Sequence, residues 1–438
     1  MRVEYLEVGE SLTPALLGRQ AISDSQASNT AAEIIAKVRL EGDQALVDYT
    51  KQFDKVERQE LAVSATEIEK AWRDTSADLR DALEYAATAI RDFHQRQVSQ
   101  SWFISRPDGA LLGNKITPLN SVGIYVPGGR AAYPSTVLMN VLPALVAGVK
   151  RIVLCTPPQS DGNPDSAVLA AARMAGVSEI YAVGGAQAIA AMAYGTESIY
   201  PVDKIVGPGN AYVAAAKRLV SGDVGIDMIA GPSEVAILAD ESSDASLVAI
   251  DLLAQAEHDP DACTYLITTD ESLVDEVIEQ VEQFLAYSPR QAITKASIDD
   301  NCLVLVCDDL PTAIAAVNYI APEHLEIQME QPLELLGLIE NTGAIFLGPW
   351  TPQSVGDYTA GPNHTLPTSG TARWSGPLAV DDFVKRTSVV SYSYAALSND
   401  APHILALAQA EGLWAHGRAV ELRFVDPEDQ AQGEKTDA

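Results

Sequence analysis

Two of the six histidines in this sequence have neighbours that could take part in chemistry. In the stretch DLLAQAEHDP, Gln255 and His258 lie three residues apart at the end of a predicted helix that Pro260 terminates. Residues spaced i and i+3 share one face of a helix, so both side chains could point at a single atom. Together with a carboxylate and a second histidine, they would suit zinc or manganese. On spacing alone, a histidine interacting with the dipole of a helix end is the more common explanation.

His324 is the second of these histidines, and it follows Glu323 in the stretch YIAPEHLEI. Adjacent residues on a turn, or in the first turn of a helix, point in different directions and could serve different steps. The imidazole can take a proton from an alcohol near neutral pH, and the carboxylate can activate a water molecule. The alternative, which spacing alone favours, is a helix N-terminus at which Glu323 interacts with the dipole.

Three glycine-containing turns are candidates for a cofactor site: Tyr125–Gly129, Gly184–Gln187 and Gly207–Asn210. Each follows a predicted strand and precedes a predicted helix. Such turns expose backbone N–H groups at a helix N-terminus, where a phosphate can bind. None matches the G-x-G-x-x-G fingerprint or a Walker loop, and a tight structural turn would explain any one of them. Three in succession weakly favour a nucleotide-binding crevice.

The other histidines outside the C-terminal region give weaker signals. His94 is predicted on the solvated face of an amphipathic helix, and His403 at a helix start after Pro402, so both are interpreted as structural. His364 lies in the segment Thr351–Gly370, which is rich in Gly, Pro, Thr and Ser and is a candidate functional loop. Its spacing assigns it no role, and a plain surface loop is the alternative.

Short apolar runs alternate with helical segments from Ser121 onward, and this pattern predicts the elements that position these residues. The N-terminal hundred or so residues are predicted to be helical, with a Ser64/Glu67 capping box opening a long helix toward Gln97. Strands alternating with helices predict an α/β fold with mostly parallel sheets, two more readily than one. The predicted strands are Val122–Val126, Arg151–Cys155, Glu179–Val183, Glu234–Ala239, Thr264–Thr268, Leu303–Val306 and Ala344–Leu347.

Composition excludes several classes of protein. A chain of 438 residues, 47% of them apolar, can bury a large core, which excludes disorder. The net charge of −31 opposes non-specific nucleic-acid binding. Four cysteines without metal-finger spacing indicate a reducing compartment. The N-terminus carries no signal segment, and the longest apolar stretch, Thr136–Val149, is too short to span a membrane. We therefore expect a soluble cytoplasmic protein without a membrane or nucleic-acid partner.

Taken together, these motifs resemble one family, histidinol dehydrogenase, in consistent order from about Val122 to Val420. The most specific stretch runs from Ile226 to Ala262, and further matches are VGIYVPGG, GGAQAIAAMAYGT, VGPGNAYVAAAK, APEHLEI, GDYTAGPNHTLPT and EGLWAHGRAV. The resemblance implies a four-electron oxidation of L-histidinol to L-histidine through L-histidinal, with NAD as hydride acceptor and one zinc ion per subunit. The choice of NAD over NADP rests on the resemblance, because the sequence has no dinucleotide-binding fingerprint with the acidic residue that would indicate the cofactor.

The resemblance also implies roles for individual residues. The implied zinc ligands are Gln255, His258, Asp357 and His416. Glu323 and His324 are the implied acid–base pair, with His324 as base for the alcohol and Glu323 as the base that activates water. The implied cofactor contacts are Tyr125, Gln187 and Asn210. The implied substrate contacts are Ser233, Gln255, His258, His324, Asp357, Glu411 and His416.

The family's architecture implies two incomplete Rossmann-like α/β domains, with small N- and C-terminal helical segments exchanged in a homodimer. The predicted divisions are an N-terminal helical segment (1–21), a first domain (22–125 with 235–378), an inserted second domain (126–234) and a C-terminal segment (379–438). The last of these would reach the partner subunit and end in a frayed acidic tail. Each zinc site would then combine Gln255, His258 and Asp357 of one subunit with His416 of the partner subunit.

Two other kinds of enzyme share part of this pattern. One is a paralogous zinc- and NAD-dependent dehydrogenase of another amino or sulfonated alcohol, and the other is a zinc hydrolase in which Glu323 activates water. The presence of Glu411 and His416 argues against the first. The lack of an H-E-x-x-H motif, together with the three glycine turns, argues against the second. A non-catalytic binding protein would leave a full set of ligands and bases without a use.

Overall fold

The fold is taken from a computed structural model that describes residues 1–17, 25–128 and 132–425. Part of the predicted N-terminal segment, Gly129 of the first glycine turn and the predicted frayed tail after residue 425 lie outside the described residues. The strands are β1 (Arg2–Leu6), β2 (Trp102–Ser105), β3 (Leu111–Pro118), β4 (Ser121–Tyr125), β5 (Arg151–Thr156), β6 (Glu179–Ala182), β7 (Lys204–Val206), β8 (Gly225–Ile226), β9 (Glu234–Ala239), β10 (Cys263–Thr268), β11 (Cys302–Cys307), β12 (His324–Gln328), β13 (Ala344–Leu347) and β14 (Val384–Ser391).

The helices are α1 (Pro14–Leu17), α2 (Ser25–Glu41), α3 (Asp43–Tyr49), α4 (Ala65–Asp74), α5 (Ala77–Gln95), α6 (Pro134–Ala147), α7 (Ser166–Ala175), α8 (Gly185–Tyr194), α9 (Ala211–Val220), α10 (Ala245–Ala256), α11 (Glu271–Leu285), α12 (Gln291–Asn301), α13 (Leu310–Ile320), α14 (Gln353–Tyr358), α15 (Tyr394–Ala410) and α16 (Trp414–Glu421). Short π- or 3₁₀-helical pieces are Thr50–Asp54, Pro332–Leu338, Thr371–Arg373 and Val380–Phe383.

A six-stranded parallel sheet has the order β1-β11-β10-β9-β12-β13. Its inner strands β9 and β11, with the sequences EVAILA and CLVLVC, are almost wholly apolar because both faces of the sheet are covered. One face packs against α13, and the other packs against α10 and α11. This sheet positions the metal and acid–base candidates, since β12 starts at His324 and α10 ends just after Gln255.

A five-stranded parallel sheet has the order β6-β5-β4-β7-β8. Helices α5, α6 and α7 cover one face, and α2, α8 and α9 cover the other. The three glycine turns follow β4, β6 and β7, so all of them lie at the carboxyl edge of this sheet. That is the edge at which open parallel sheets usually bind ligands.

The α/β class and the parallel sheets are confirmed, and the seven predicted strands match observed ones to within about one residue. The prediction of an all-helical N-terminus is wrong, because β1 is a strand that pairs with β11. The capping box at Ser64 and Glu67 is present, but its helix ends at Asp74 and Ser76 caps a separate one.

Residues 25–98 and 121–125 pack with the five-stranded sheet, whereas the sequence analysis grouped residues 22–125 with residues 235–378. Helix α2 buries Ala31, Ile34 and Val38 in the same core as α8 and α9. Strand β4 pairs with β5 and β7. The apolar faces of the early helices therefore decide which sheet they join.

A second compact unit contains residues 99–117 and 384–425. It contains a three-stranded sheet of order β14-β3-β2, and α15 packs against α16. Its exposed large apolar side chains include Trp102, Phe103, Ile104, Tyr394, Leu407 and Trp414. Apolar surface of this extent on a small unit is typical of a protein–protein contact. Within the described ranges, no helix is long and apolar enough to cross a membrane.

The turn between β7 and α9 leaves no room for a side chain at Gly207. This residue has a φ of +110°, and a Cβ there would lie 2.1 Å from the carbonyl oxygen of Tyr125. Its N–H donates to the Asp227 carboxylate at 2.8 Å, and its carbonyl accepts from Lys217 Nζ at 2.9 Å. Lys217 and Asp227 form an ion pair that is almost fully buried. An internal ion pair thus fixes both polar groups of Gly207.

Replacing Gly207 with alanine should destabilise the protein more than the same change at Gly222. Gly222 is a matched control, because its φ is +105° and its Cβ would meet no described atom within 4 Å. Both variants incur a left-handed backbone cost of about 1–2 kcal/mol. Only Gly207→Ala also forces the Tyr125 backbone to move, which should add about 1–3 kcal/mol. Urea denaturation measures the difference, and equal losses would contradict this account of the turn.

Candidate active site

Glu323 and His324 lie at the amino edge of the six-stranded sheet. The chain leaves α13 through Ala321, which has a φ of +49°, and β12 begins at His324. The interpretation of this pair as a helix N-terminus or helical turn is therefore wrong. His324 is opposite Val235 of β9, so Glu234 lies beside the pair. The register between two parallel strands, rather than a local helix, places the two side chains.

The His324 ring is oriented as a proton acceptor. Its Nδ1 lies 3.1 Å from the carbonyl oxygen of Glu234, and because a carbonyl can only accept, Nδ1 carries the hydrogen. Its Nε2 therefore has a free lone pair, and it has no hydrogen-bond partner among the described residues. Nε2 lies 3.8 Å from Asp357 Oδ1. Burial lowers the pKa of His324, so the imidazole stays neutral and can accept a proton.

Glu323 is a buried carboxyl next to this base. Its Oε2 accepts a hydrogen bond from the Glu234 N–H at 3.0 Å and lies 3.8 Å from His324 Nδ1. Burial raises the pKa of Glu323 well above its ordinary value, although the bond from Glu234 opposes this. The Ser233 side chain also hydrogen-bonds the carboxyl. Burial therefore favours the protonated form of Glu323, and positive charge nearby would favour its ionisation.

Three of the four implied zinc ligands lie in the same part of the fold as the pair. Gln255 is in the last turn of α10 and only 1% exposed, and its Oε1 has no hydrogen-bond partner among the described residues. Asp357, on α14, lies between His324 and His364. His258 is exposed just beyond α10 and adds to the lowering of the pKa of His324, for which burial is the main cause.

These donors fit zinc chemically. A carboxylate and an imidazole are common zinc ligands, and the amide oxygen of Gln255, which has no hydrogen-bond partner among the described residues, is a rarer one. No group of three or more His, Cys, Asp or Glu within the described ranges could hold a metal by itself. Of the implied ligands here, His258 and Asp357 are of these types, and Gln255 adds an amide oxygen.

The fourth implied zinc ligand, His416, and the implied substrate contact Glu411 lie in the second unit. Glu411 directly follows α15, and His416 is exposed on α16. Ser233, the other implied substrate contact, precedes β9 and is in contact with Glu323. The sequence analysis placed Glu411 and His416 in the C-terminal segment 379–438, and both residues lie in the second unit.

His364 and Glu234 are site residues that the sequence analysis missed. His364 Nδ1 lies 3.0 Å from the Asp357 carbonyl oxygen, and its Nε2 lies 3.3 Å from Thr136 Oγ1. Glu234 is 1% exposed, and its Oε2 accepts from the Ser369 N–H. A carboxylate beginning an otherwise apolar strand was the available signal for Glu234, whereas nothing local marks His364.

Two other histidines are placed differently from the predictions. His94 was predicted on a solvated face, but it is fully buried and its Nδ1 lies 2.8 Å from the Ile90 carbonyl oxygen. His403 was predicted at a helix start, but it lies inside α15, which continues through Pro402. Neither belongs to the candidate site by its placement in the fold.

The implied cofactor residues lie at the glycine turns of the five-stranded sheet. Tyr125 ends β4, and its hydroxyl accepts from the Gly185 N–H at 3.0 Å. Gln187 is in the first turn of α8 and 1% exposed, and its Oε1 has no hydrogen-bond partner in the described part of the chain. Asn210 caps α9 by accepting from the N–H groups of Tyr212 and Val213.

The segment Gly361–Gly370 bonds to residues associated with both sheets. On one side, Asn363 donates to the Met139 carbonyl of α6 at 2.6 Å, and Asn140 donates to Thr365 at 3.3 Å. On the other, Thr368 accepts from the Gly231 N–H at 2.7 Å. The polar composition of this segment therefore serves internal hydrogen bonds, and the interpretation as a plain surface loop is wrong.

The buried acid Glu323 should make the protein less stable as pH rises. Because its pKa is raised on folding, the folded state binds more protons than the unfolded state above about pH 4.3, and stability falls through that window. Glu323→Gln removes this titration, so the variant should be more stable than the wild type near pH 8, by about 1.4 kcal/mol per unit of pKa elevation.

Urea denaturation with chelator present, at about pH 4 and about pH 8, measures this effect. Glu330→Gln, a change at an exposed carboxyl after the same strand, is the control and should show no such gain. A Glu323→Gln variant no more stable than the wild type at the higher pH would contradict the prediction.

Comparison with known proteins gives one consistent result. A family model for histidinol dehydrogenase matches residues 17–424. Histidinol dehydrogenase of Halalkalibacterium halodurans is 54% identical over 398 residues, which cover 91% of this chain and 94% of that protein. That of Bacillus subtilis is 52% identical over 394 residues, covering 90% and 92%. The crystal structure of histidinol dehydrogenase from Elizabethkingia anophelis is 38% identical and has a TM-score of 0.90, covering 97% of this chain and 98% of the other. The chain therefore belongs to the histidinol dehydrogenase family.

Proposed function

We propose that the protein oxidises L-histidinol to L-histidine through L-histidinal, with two molecules of NAD and one zinc ion per subunit. One observation carries the proposal. The His324 imidazole, the buried Glu323 carboxyl and the Gln255 amide oxygen lie in one part of the fold. Among the described residues, neither His324 Nε2 nor Gln255 Oε1 has a hydrogen-bond partner, and burial favours the neutral forms of His324 and Glu323. Family membership supports the reaction, and these groups are the ones that the reaction needs.

His324 is proposed as the base for the alcohol oxidation. That step removes a hydride from carbon and a proton from oxygen, and His324 Nε2 is free to accept the proton. The opposite nitrogen stays bonded to the Glu234 carbonyl, which fixes the ring and its tautomer. His324 would therefore act in the first oxidation.

Glu323 is proposed as the base for the second oxidation. Water adds to the aldehyde carbon and loses a proton, and the resulting diol loses a second hydride to give the carboxylate. Burial favours the protonated form of Glu323, so its ionisation depends on positive charge that enters with the ligands. Once ionised, the carboxylate can accept the proton from water.

Gln255, His258 and Asp357 are proposed to hold the metal together with His416 of the partner subunit. Zinc, when bound, orients the imidazole and the amino group of the substrate, while NAD accepts the hydrides. Glu411 of the partner subunit would suit the substrate's amino group. Tyr125, Gln187 and Asn210 are proposed to contact NAD.

The subunit arrangement is proposed as a homodimer in which the C-terminal segment contributes to the site of the other chain. Exposed apolar residues of the second unit, such as Trp102, Leu407 and Trp414, support a protein contact there. The fourth ligand implied by the resemblance, His416, lies in the C-terminal segment. A cytoplasmic location is part of this proposal, supported by four free cysteines.

Two variants should separate the oxidations. His324→Ala should slow histidinol oxidation by roughly 10²–10⁴-fold, because the alcohol loses its proton acceptor. Glu323→Gln should oxidise histidinol but mainly lose conversion of added histidinal. NADH absorbance with each substrate measures both rates, and wild-type activity should disappear on chelation and return with zinc. If both variants convert added histidinal at the wild-type rate, the assigned roles are wrong.

Mixing two inactive variants tests the shared site. His258→Asn and His416→Asn should each be inactive alone, because each removes a ligand. Random exchange of equal amounts makes about half of the dimers mixed, and in each mixed dimer one of the two sites has wild-type residues at both positions. About a quarter of wild-type activity should therefore return. Mixing His258→Asn with Gln255→Ala is the control. Both residues belong to the same subunit's share of a site, so every site in the mixed dimer lacks one ligand and no activity should return. Absence of restored activity in a verified mixed dimer would contradict the exchange.

A further inference from the structure

We propose that a buried cluster of Asp251, Glu326 and Gln328 holds in register the three elements that carry the proposed metal and base residues. These elements are α10, β12 and α14. The members of this cluster act through other residues, so its role is to position them. The inference rests on the proposed function, because it concerns support of that site.

Sequence spacing relates the cluster to the site on each element. Residues four apart on a helix, or two apart on a strand, lie on the same face. The three pairs are Asp251 with Gln255 on α10, Glu326 with His324 on β12, and Gln353 with Asp357 on α14. Each site residue therefore shares a face with Asp251, Glu326 or Gln353. Asp251 and Glu326 belong to the cluster, and the backbone N–H of Gln353 bonds to it.

Hydrogen bonds join the three elements through Gln328 and Glu326. The Gln328 amide donates to Asp251 Oδ2 at 2.7 Å and to Glu326 Oε2 at 2.8 Å, which joins β12 to α10. The Gln353 N–H donates to Glu326 Oε1 at 2.9 Å, which joins β12 to the first turn of α14. All four residues are less than one-tenth exposed. A movement of any one element would leave a buried polar group without its partner.

The cluster contains two carboxyls in hydrogen-bond contact with each other. Such contact needs one proton between them, and burial raises the pKa of Asp251 and raises that of Glu326 to about 8. Packed apolar groups would be at least as stable at such a position. Stability alone is therefore a poor explanation of the cluster, whereas directional bonds between three elements explain its residue types.

Three variants test the role in the full-length, zinc-loaded enzyme. Glu326→Ala removes the bond from the Gln353 N–H of α14 and the carboxyl contact with Asp251, but the Gln328–Asp251 bond between β12 and α10 remains. Glu326→Gln keeps an oxygen that can accept from the Gln353 N–H and gains an NH₂ that can donate to Asp251, provided that the Gln328 amide flips so that its oxygen also accepts from this NH₂. Leu305→Ala, on β11 in the same sheet, is the control for a simple loss of stability. The readouts are zinc affinity by chelator competition, kcat and KM for histidinol, and the thermal midpoint.

Glu326→Ala should weaken zinc affinity and lower kcat by about 10–100-fold, as loss of a supporting contact does elsewhere. Glu326→Gln should restore both to within about threefold of wild type. Leu305→Ala should lower the thermal midpoint while keeping both values near wild type. If Glu326→Ala does not fold, Gln328→Met, which keeps the volume but loses both amide bonds, should show the same loss.

The inference is overturned if the cluster variants match Leu305→Ala in zinc affinity and kcat. Failure of the proposed function looks different, because the wild-type enzyme itself would then bind no stoichiometric zinc or would leave histidinol unoxidised. The wild-type measurement comes first and separates the two cases.

Discussion

The main chain at Glu234 holds both members of the proposed acid–base pair. Its N–H donates to the Glu323 carboxyl at 3.0 Å, and its carbonyl accepts from His324 Nδ1 at 3.1 Å. This is possible because β9 and β12 pair in parallel with His324 opposite Val235. Side chains alternate along a strand, so a slip of one residue would turn His324 to the other face of the sheet. The chemistry thus depends on the register of two strands that lie 90 residues apart in the chain.

The sequence predicts what is encoded locally. Continuous apolar runs identify the buried strands, and the Gln255–His258 spacing identifies the end of α10. Strand β12 was missed because Glu323 and His324 after Pro322 were interpreted as a turn or a helix N-terminus, although the alternation of polar and apolar residues in HLEIQ is typical of a strand. In the structure its polar residues are buried and hydrogen-bonded to one another or to neighbouring elements. Such contacts depend on distant partners, as with His364 and Thr136, and no local pattern reports them.

The cofactor candidates lie at the carboxyl edge of one sheet, and the acid–base candidates lie at the amino edge of the other. The glycine turns follow the usual rule for parallel sheets, at the carboxyl edge, whereas Glu323 and His324 lie at an amino edge. A hydride can pass between a cofactor and a substrate only if the two edges face one site. The segment Gly361–Gly370 is suited to hold them together, because it bonds to α6 after the first glycine turn and to Glu234 beside the pair. Its internal hydrogen bonds account for its unusual polarity.

Burial shifts the two members of the pair in opposite directions. It raises the pKa of Glu323 and lowers that of His324, so it favours the neutral form of both side chains, which lie 3.8 Å apart. No ion pair between them must then be broken before His324 can accept a proton. Positive charge from a metal, a substrate amine or an oxidised nicotinamide favours ionisation of Glu323. The same charge further disfavours protonation of His324, so in the proposed reaction ligand binding would favour one carboxylate and one neutral imidazole, which are the two proton acceptors assigned to the two oxidations.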